Sequence, residues 1–170
     1  VGFGGPPMEL IPGATALRWL QLGGAGADRV FDHPAAGRDF VVTNASGVHP
    51  TQITEHLLAL MLAFARGIHT SVRNQATRTW PRQEDWRLFE LAGKRVLLIG
   101  LGAIGNRFAE VAGALGMEVV ALRARPERGA GAAARVAGIY ALRGEIPHAD
   151  FVVITTPLTP ATKHLIGEQE

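Results

Sequence analysis

The sequence predicts an α/β protein whose main sheet is parallel and doubly wound. Short apolar segments of strand length, such as residues 96–99 and 151–155, are separated by segments with the spacing of an amphipathic helix. A glycine-rich turn joins the strand at 96–99 to the helix pattern that follows it. The strand at 151–155 is almost entirely apolar, which indicates a strand buried on both faces, as parallel sheets require.

Composition limits the class of protein. Of the 170 residues, 47% are apolar and 19% are charged, which is typical of a globular protein. The chain has no cysteine, so it has no disulfide, thiolate zinc site or cysteine nucleophile. Its net charge is only +2 and its arginines are dispersed, so we expect no nucleic-acid partner. The sequence has no pair of histidines at a metal-ligand spacing, so we expect no metal site. Its apolar runs are too short to span a bilayer, so we expect no membrane contact. It shows no signal-peptide pattern, so we expect a cytoplasmic location.

The first part of the chain alternates loops with short strands. Residues 1–16 are expected to be a loop with one helical turn at 8–11, and residues 17–22 and 40–43 to be strands. The glycine-rich loop 23–28 follows the first of these strands. Successive backbone N–H groups in such a loop can bind an anion, for instance a substrate carboxylate, and a tight turn that binds nothing is an equal alternative.

A long helix is expected from about residue 50 to about residue 74. Its apolar residues cover more than one face, which favours a helix buried on two sides. We interpret Glu55 as the acceptor of a buried hydrogen bond and His69 as a solvent-facing residue. The polar segment that follows, to residue 90, carries Trp80 and Trp86, and exposed tryptophans are typical of a partner surface.

The glycine-rich turn after residues 96–99 predicts a dinucleotide site. Its glycines have the spacing G-x-G-x-x-G between a strand and a helix, and a second strand at 118–122 completes a βαβ unit. The first glycine allows the tight bend, the second lets pyrophosphate approach the backbone, and the third lets helix and strand pack closely. Free N–H groups at the helix start can then hold phosphates. The expected cofactor-binding residues are Gly100, Leu101, Gly102, Ala103, Ile104 and Gly105. A turn that binds no ligand is the alternative.

The later elements follow the order of the same sheet. Residues 127–137 are rich in alanine, glycine and arginine and are expected to be helical, and residues 138–142 to be a third strand or its end. A helical turn is expected at 146–150. The strand at 151–155 ends in Thr156 and Pro157, at the edge where ligands of open α/β sheets bind.

With these segments in place, the chain resembles the D-isomer-specific 2-hydroxyacid dehydrogenases over nearly its whole length. Four segments carry the resemblance in the family's order: 20–28, 43–66, 90–109 and 149–166. The resemblance implies an incomplete Rossmann-type sheet preceded by part of a smaller, flavodoxin-like α/β substrate lobe. We therefore expect a partial substrate lobe at 1–50, an interdomain helix and dimerisation arm at 51–90, and a partial dinucleotide-binding domain at 91–170.

The resemblance also implies hydride transfer between a nicotinamide cofactor and a 2-hydroxy or 2-oxo acid, as in glyoxylate or hydroxypyruvate reductases. Residues Ala25 and Gly26 would hold the substrate carboxylate, and the adenosine side of the cofactor would be lined by Thr156, Pro157 and Thr162. The family's catalytic arginine, glutamate and histidine lie downstream of the Pro-Leu-Thr motif. The sequence ends eight residues after Thr162, so we assign no catalytic residue and expect this piece alone to be inactive.

We do not assign the missing roles to His49, Arg66 or His164. Asn106 occupies a position where the family frequently has arginine, which removes one expected side-chain contact to pyrophosphate. The family forms dimers, and the segment from Trp80 to Trp86 resembles the region used. The alternative function is a non-catalytic nucleotide-binding fragment, or a cofactor-sensing regulatory member of the family that resembles its corepressors.

Two arginines bear on the choice of cofactor. Arg123 lies 18 residues after Gly105, at the end of the second strand, where NAD-specific domains place an acid, and Arg125 is close behind. Guanidinium groups can bind a 2′-phosphate by charge-assisted hydrogen bonds. We therefore expect NADP(H) to be favoured, with NAD(H) possible. The alternative is that both are surface arginines of an arginine-rich chain.

Overall fold

Two compact units make up the chain in the computed structural model, which describes residues 1–5, 8–31, 33, 39–82 and 87–169. One unit consists of residues 1–49 and 156–170, and the other of residues 50–155. Trp86, which the sequence placed in the polar arm, lies outside the described residues.

The first unit is built on a parallel sheet of three short strands in the order β1-β2-β3. The strands are β1 (Gly2–Phe3), β2 (Trp19–Gln21) and β3 (Val41–Thr43). A 3-10 helix covers Met8–Gly13, and the short helix α1 covers Asp28–Phe31. The buried core of this unit consists of Ile11, Leu20, Leu22 and Val30.

The predicted helical turn and both predicted strands of the first unit are confirmed; the strands are shorter than expected, and the turn extends to Gly13. Strand β1 lies in a segment expected to be loop. It pairs with β2, Gly2 opposite Leu20, and two residues are too few to show an alternating pattern in the sequence.

The second unit contains a four-stranded parallel sheet in the order β6-β5-β4-β7. Its strands are β4 (Arg95–Ile99), β5 (Glu118–Arg123), β6 (Arg135–Gly138) and β7 (Phe151–Ile154). Its helices are α2 (Pro50–Ala65), α3 (Ile68–Ala76), α4 (Ala103–Ala114) and α5 (Leu142–Glu145). Strand β4, the first of this unit along the chain, lies inside the sheet, with β5 and β6 on one side and β7 on the other. This order is that of the first part of a Rossmann-type sheet and confirms the predicted fold class.

The centre of this sheet is fully apolar and buried. Residues 96–99 of β4 are at most 1% exposed, because β5 and β7 flank the strand and helices cover it. Helix α4 turns Phe108, Ala109 and Ala112 into the same core, and α2 adds Leu58, Met61 and Ala65. The predicted strand–turn–helix unit is therefore confirmed in type and in position.

The single helix predicted from about residue 50 to about residue 74 is wrong, because the structure has two helices. Gly67 separates α2 from α3 with φ +62°, a left-handed conformation that glycine adopts without steric penalty. Helix α2 buries one face, and Leu60 and Phe64 are 57% and 66% exposed, so burial on two sides is also wrong. Glu55 is exposed and does not make the expected buried hydrogen bond; His69 is exposed, as expected.

Two expectations for the later segments are also corrected. The alanine-rich segment 127–137 is not a helix: a 3-10 turn at Pro126–Arg128 and a loop lead into β6, which pairs with β5 through Ala121 and Val136. The third strand, expected at 138–142 or ending there, ends at Gly138, and a 3-10 turn at Ile139–Ala141 follows it. Strand β7 lies at the described edge of the sheet and has Val152 and Ile154 at 43% and 55% exposed, so it is not buried on both faces. The helical turn at Ile146–His148 is confirmed.

Candidate functional site

The glycine turn between β4 and α4 is held by hydrogen bonds to both neighbouring strands. Gly100 has φ +103°, which gives the chain its tight bend. Its N–H donates to the Leu122 carbonyl of β5 at 2.8 Å, and its carbonyl accepts from Thr155 Oγ1 at 2.7 Å, directly after β7. The turn is therefore held in position by residues of β5 and of the segment that follows β7, on either side of β4.

The other two glycines of the turn have different roles. A Cβ atom at Gly105 would collide with the Gly100 carbonyl oxygen, so the close approach of α4 to the turn requires glycine there. A Cβ atom at Gly102 would meet nothing within 4 Å, and no side chain caps the helix that starts beside it. The first N–H groups of a helix have no partners within the helix. Open backbone and an uncapped helix start together fit a bound phosphate group.

Asn106 links this turn to the loop before β6. Its Nδ2 donates to the Gly102 carbonyl at 2.9 Å, and its Oδ1 accepts from the Ala132 N–H at 3.3 Å. The side chain that stands in the place of the family's frequent arginine is thus used for internal hydrogen bonds. Arg107 does not replace that arginine, because its guanidinium pairs with Glu110 at 2.7 Å.

The two arginines after β5 differ in their surroundings. Arg123 is half-buried, and its Nη1 donates to the Gly129 carbonyl at 3.2 Å. Arg125 is exposed, and its guanidinium makes no hydrogen bond or ion pair with the described part of the chain. The Arg123 guanidinium is therefore bonded to the loop before β6, and the Arg125 guanidinium is available to a ligand.

In the first unit, the glycine-rich loop 23–27 borders a cavity of about 200 Å³. The lining includes Gly4, Gly5, Gly23, Gly24, Gly26 and Arg29. On its other side the loop is bound to the segment after β3: the Gly24 carbonyl accepts from the Ala45 N–H at 3.0 Å, and the Ala25 carbonyl accepts from Asn44 Nδ2 at 2.7 Å. Sequence reasoning singled out Ala25 and Gly26 but missed Asn44, which lies 19 residues from the carbonyl it binds.

The segment after β7 also belongs to the first unit, beginning at Thr156. Thr162 Oγ1 donates to the Pro157 carbonyl at 2.6 Å and accepts from the Thr159 N–H at 2.8 Å, which closes residues 157–162 into a turn. The expected site residues are therefore divided: residues 100–105, Arg123 and Arg125 share one unit, and Ala25 and Gly26 share the other with this turn.

Within the ranges described, no three histidine, aspartate or glutamate side chains are grouped so that they could hold a metal ion. Among the same residues, no helix combines the length and the apolar character needed to cross a bilayer. Away from the glycine turn, the Arg95 N–H and the Lys94 ammonium bind Asp150 and lower the pKa of its carboxyl.

Comparison with known proteins places this geometry among dehydrogenases. Residues 58–170 match the family model described as "D-isomer specific 2-hydroxyacid dehydrogenase, NAD binding domain". The chain is 28% identical to a D-3-phosphoglycerate dehydrogenase of Methanocaldococcus jannaschii over 95% of its length, and 29% identical to a glyoxylate reductase of Thermococcus litoralis over 95%. It spans 31% and 50% of those two relatives, respectively.

A solved structure agrees with these relatives. The crystal structure of a D-isomer specific 2-hydroxyacid dehydrogenase family protein from Aeromonas salmonicida superimposes with a TM-score of 0.82 at 28% identity. The superposition covers 92% of this chain and 49% of that protein.

Proposed function

The chain belongs to the D-isomer specific 2-hydroxyacid dehydrogenase family, and on that premise we propose that its full-length protein is a reductase of small 2-oxo acids, of the glyoxylate or hydroxypyruvate type. The nicotinamide cofactor, when bound, supplies or accepts the hydride. The single observation that carries the proposal is the uncapped start of α4 beside the open backbone of Gly102. That arrangement suits the pyrophosphate of a dinucleotide, because free N–H groups and the helix dipole both favour a negative charge.

In this proposal each segment has one task. The backbone of residues 100–105 holds the pyrophosphate, and Thr156, Pro157 and Thr162 line the adenosine side of the cofactor. The N–H groups of Ala25 and Gly26 hold the substrate carboxylate. The proton that the reduced substrate acquires comes from the family's acid, which we assign to no residue of this chain.

The lining of the cavity beside residues 23–27 supports a small substrate. Five of the ten described residues that line it are glycines, and the charged side chains among them are one cation, Arg29, and one carboxylate, Asp28. A phosphorylated acid carries a second strongly anionic group, which proteins usually bind with several cationic or amide donors. A volume of about 200 Å³ and a single cationic side chain in the described wall favour a short, unphosphorylated 2-oxo acid instead.

We propose NADP(H) as the favoured cofactor, with Arg125 as the main ligand of the 2′-phosphate. The support is that Arg125 is exposed and free within the described residues, whereas Arg123 is bonded to the Gly129 carbonyl. Arg123 then contributes positive charge and keeps the loop in place.

Cofactor titrations of the full-length protein test this proposal. Dissociation constants for NADPH and NADH, read from nicotinamide fluorescence, are compared for wild type, Arg125→Ala and Arg123→Asp. Arg125→Ala loses a charge-assisted hydrogen bond, and Arg123→Asp replaces a positive charge near the 2′-phosphate with a negative one. Each change should weaken NADPH binding by about tenfold or more, while NADH binding to Arg125→Ala stays within about twofold. Arg128→Ala, an exposed arginine of the same loop, is the matched control. The proposal is contradicted if the wild type binds NADH more tightly than NADPH and neither substitution changes the dissociation constant of NADPH.

Turnover separates the enzyme from the regulatory alternative. The full-length protein is given NADPH with glyoxylate, hydroxypyruvate or 3-phosphohydroxypyruvate, and cofactor oxidation is followed. We expect the two small acids to be reduced faster than the phosphorylated one. Cofactor binding without reduction of any of the three would favour a cofactor-sensing protein.

We also propose a cytoplasmic homodimer whose interface includes the surface around Trp80. The Trp80 side chain is 96% exposed and Val72 of α3 is 60% exposed. Together with Arg78 and Pro81 they border a groove of about 600 Å³. Large exposed apolar groups in one patch are typical of protein–protein interfaces, and aromatic residues are enriched there.

A further inference from the structure

We infer that Asn44 is a positioning residue, which aims the N–H groups of Ala25 and Gly26 into the cavity beside Gly4 and Gly5. The inference rests on the proposed role of that loop in holding the substrate carboxylate. It adds a residue that contacts no substrate and acts on the amides that do.

The first step is the orientation of two successive peptide groups. In a trans peptide the carbonyl and the N–H of the next residue point in opposite directions. The Gly24 carbonyl points to the Ala45 N–H at 3.0 Å, so the Ala25 N–H points away from residue 45. The Ala25 carbonyl points to Asn44 Nδ2 at 2.7 Å, so the Gly26 N–H points away from residue 44. Both amides therefore face away from the segment that follows β3.

The second step is what lies on the side that these amides face. The strand order is β1-β2-β3, so the loop after β2 has the segment after β3 on one side and the segment after β1 on the other. Gly4 follows β1 and its N–H donates to the Gln21 carbonyl at 2.9 Å, which keeps that segment beside β2. The cavity of about 200 Å³ is lined by Gly4 and Gly5 on one side, by Gly23, Gly24 and Gly26 of the loop, and by residues 28–30 of α1, which include Asp28 and Arg29. The two N–H groups thus point to the side on which the cavity lies.

The third step is why Asn44 controls this orientation. Its Oδ1 accepts from the Ser46 N–H at 3.2 Å, which leaves its amide nitrogen turned toward Ala25. The peptide between Ala25 and Gly26 has glycine on one side, which lowers the resistance to rotation of that peptide. Without the Nδ2 donor, the Ala25 carbonyl can turn toward the cavity, and an acceptor would then face the incoming carboxylate.

Two variants of Asn44 distinguish its effect on the orientation of the Ala25 and Gly26 N–H groups from its hydrogen bond to the Ser46 N–H. Asn44→Asp keeps an oxygen for the Ser46 N–H but has no N–H to give to the Ala25 carbonyl. Asn44→Ala loses both bonds. Thr43→Val is the matched control, because Thr43 Oγ1 bonds to Trp19 and Gln21 and to no residue of the loop.

The measurements use the full-length protein. For each variant we would determine KM and kcat for glyoxylate and the dissociation constant of NADPH. Backbone amide shifts of Ala25 and Gly26 would be followed by NMR during titration with oxamate, an unreactive analogue of a 2-oxo acid. The shifts report on the amides directly and do not require turnover.

We expect the KM for glyoxylate to rise by about tenfold in Asn44→Asp and in Asn44→Ala, with NADPH binding unchanged within about twofold. Oxamate should shift both amides in the wild type and in Thr43→Val, and should shift them less in the Asn44 variants. Oxamate that binds wild type without shifting Ala25 or Gly26 overturns the proposed carboxylate site. Shifts that persist in Asn44→Asp, with an unchanged KM, leave that site standing and overturn the role of Asn44.

Discussion

Gly105 is the residue of the glycine turn with the least space around it. A methyl group there would collide with the Gly100 carbonyl oxygen, which is backbone and cannot move aside as a flexible side chain can. We expect Gly105→Ala to lower the free energy of unfolding by about 1–3 kcal/mol, as overpacking does, and to weaken NADPH binding. Chemical denaturation and a cofactor titration of the full-length protein measure the two effects.

Gly113 supplies the control in the same helix. A Cβ atom there meets nothing within 4 Å, so Gly113→Ala adds helix propensity without a clash. We expect a gain of about 0.5–1 kcal/mol in the free energy of unfolding and no change in cofactor affinity. If Gly105→Ala and Gly113→Ala change the free energy of unfolding and the cofactor affinity equally, then the turn does not require glycine at position 105.

Residue by residue, the sequence predicted the glycines of the turn but not the hydrogen bonds made by Asn106 and Asn44. The glycines occur at a fixed spacing between a strand and a helix, which a single sequence can show. Asn106 and Asn44 bind backbone atoms 26 and 19 residues away, at Ala132 and Ala25. Such contacts depend on which loops the sheet order makes neighbours, and no local spacing indicates them.

At the scale of elements, the start of β7 is fastened to the start of β4. The carboxylate of Asp150 accepts from the Arg95 N–H at 2.8 Å and from Lys94 Nζ at 3.1 Å. The Arg95 guanidinium in turn bonds to Glu118 at the start of β5, at 3.0 and 3.1 Å. These side chains align the beginnings of three parallel strands.

The same contacts predict how stability depends on pH. The Arg95 N–H first, and then the Lys94 ammonium, lower the pKa of Asp150 below its ordinary value of 3.8, so folding favours the ionised carboxylate. The resulting stabilisation is present above about pH 4 and is lost as the pH falls through the lowered pKa. We expect Asp150→Asn to be less stable than wild type at neutral pH, with a difference that shrinks in acid.

Urea denaturation at a series of pH values measures that difference. Glu90→Gln, at an exposed carboxylate of the same unit, controls for the change in net charge. A difference between wild type and Asp150→Asn that is constant from neutral pH to about pH 3 would contradict the expected linkage.

The elements that sequence reasoning predicted well are those whose own residues determine them. Strand β4 and helix α4 have unambiguous apolar patterns, and both were located correctly. The segment 127–137 is rich in alanine, yet Gly129 and Gly131 have positive φ and the last residues pair with β5 as a strand. Pairing with a neighbouring strand outweighs helix propensity there, and pairing is a property of the tertiary structure.

At the scale of the whole molecule, the proposed dimer gives the most direct test. Trp80→Ser should raise the dimer dissociation constant by about tenfold or more, because a large exposed aromatic group at an interface commonly contributes over 1 kcal/mol to binding. Sedimentation equilibrium of the full-length protein measures it.

Tyr140, 87% exposed in the same unit, supplies the control Tyr140→Ser. It should leave the association state unchanged. If wild type and Trp80→Ser have the same dimer dissociation constant, Trp80 is not part of the interface. If the wild type is a monomer, the proposed dimer is wrong.

The double contact of Asn106 has a practical consequence for anyone who wishes to redesign the cofactor preference of this protein. Transplanting the loop between β5 and β6 from an NAD-specific dehydrogenase would replace Ala132, whose N–H binds Oδ1, while Nδ2 stayed on Gly102. The graft would then disturb the phosphate turn as well as the recognition loop. Position 106 should therefore be exchanged together with the loop, as one module.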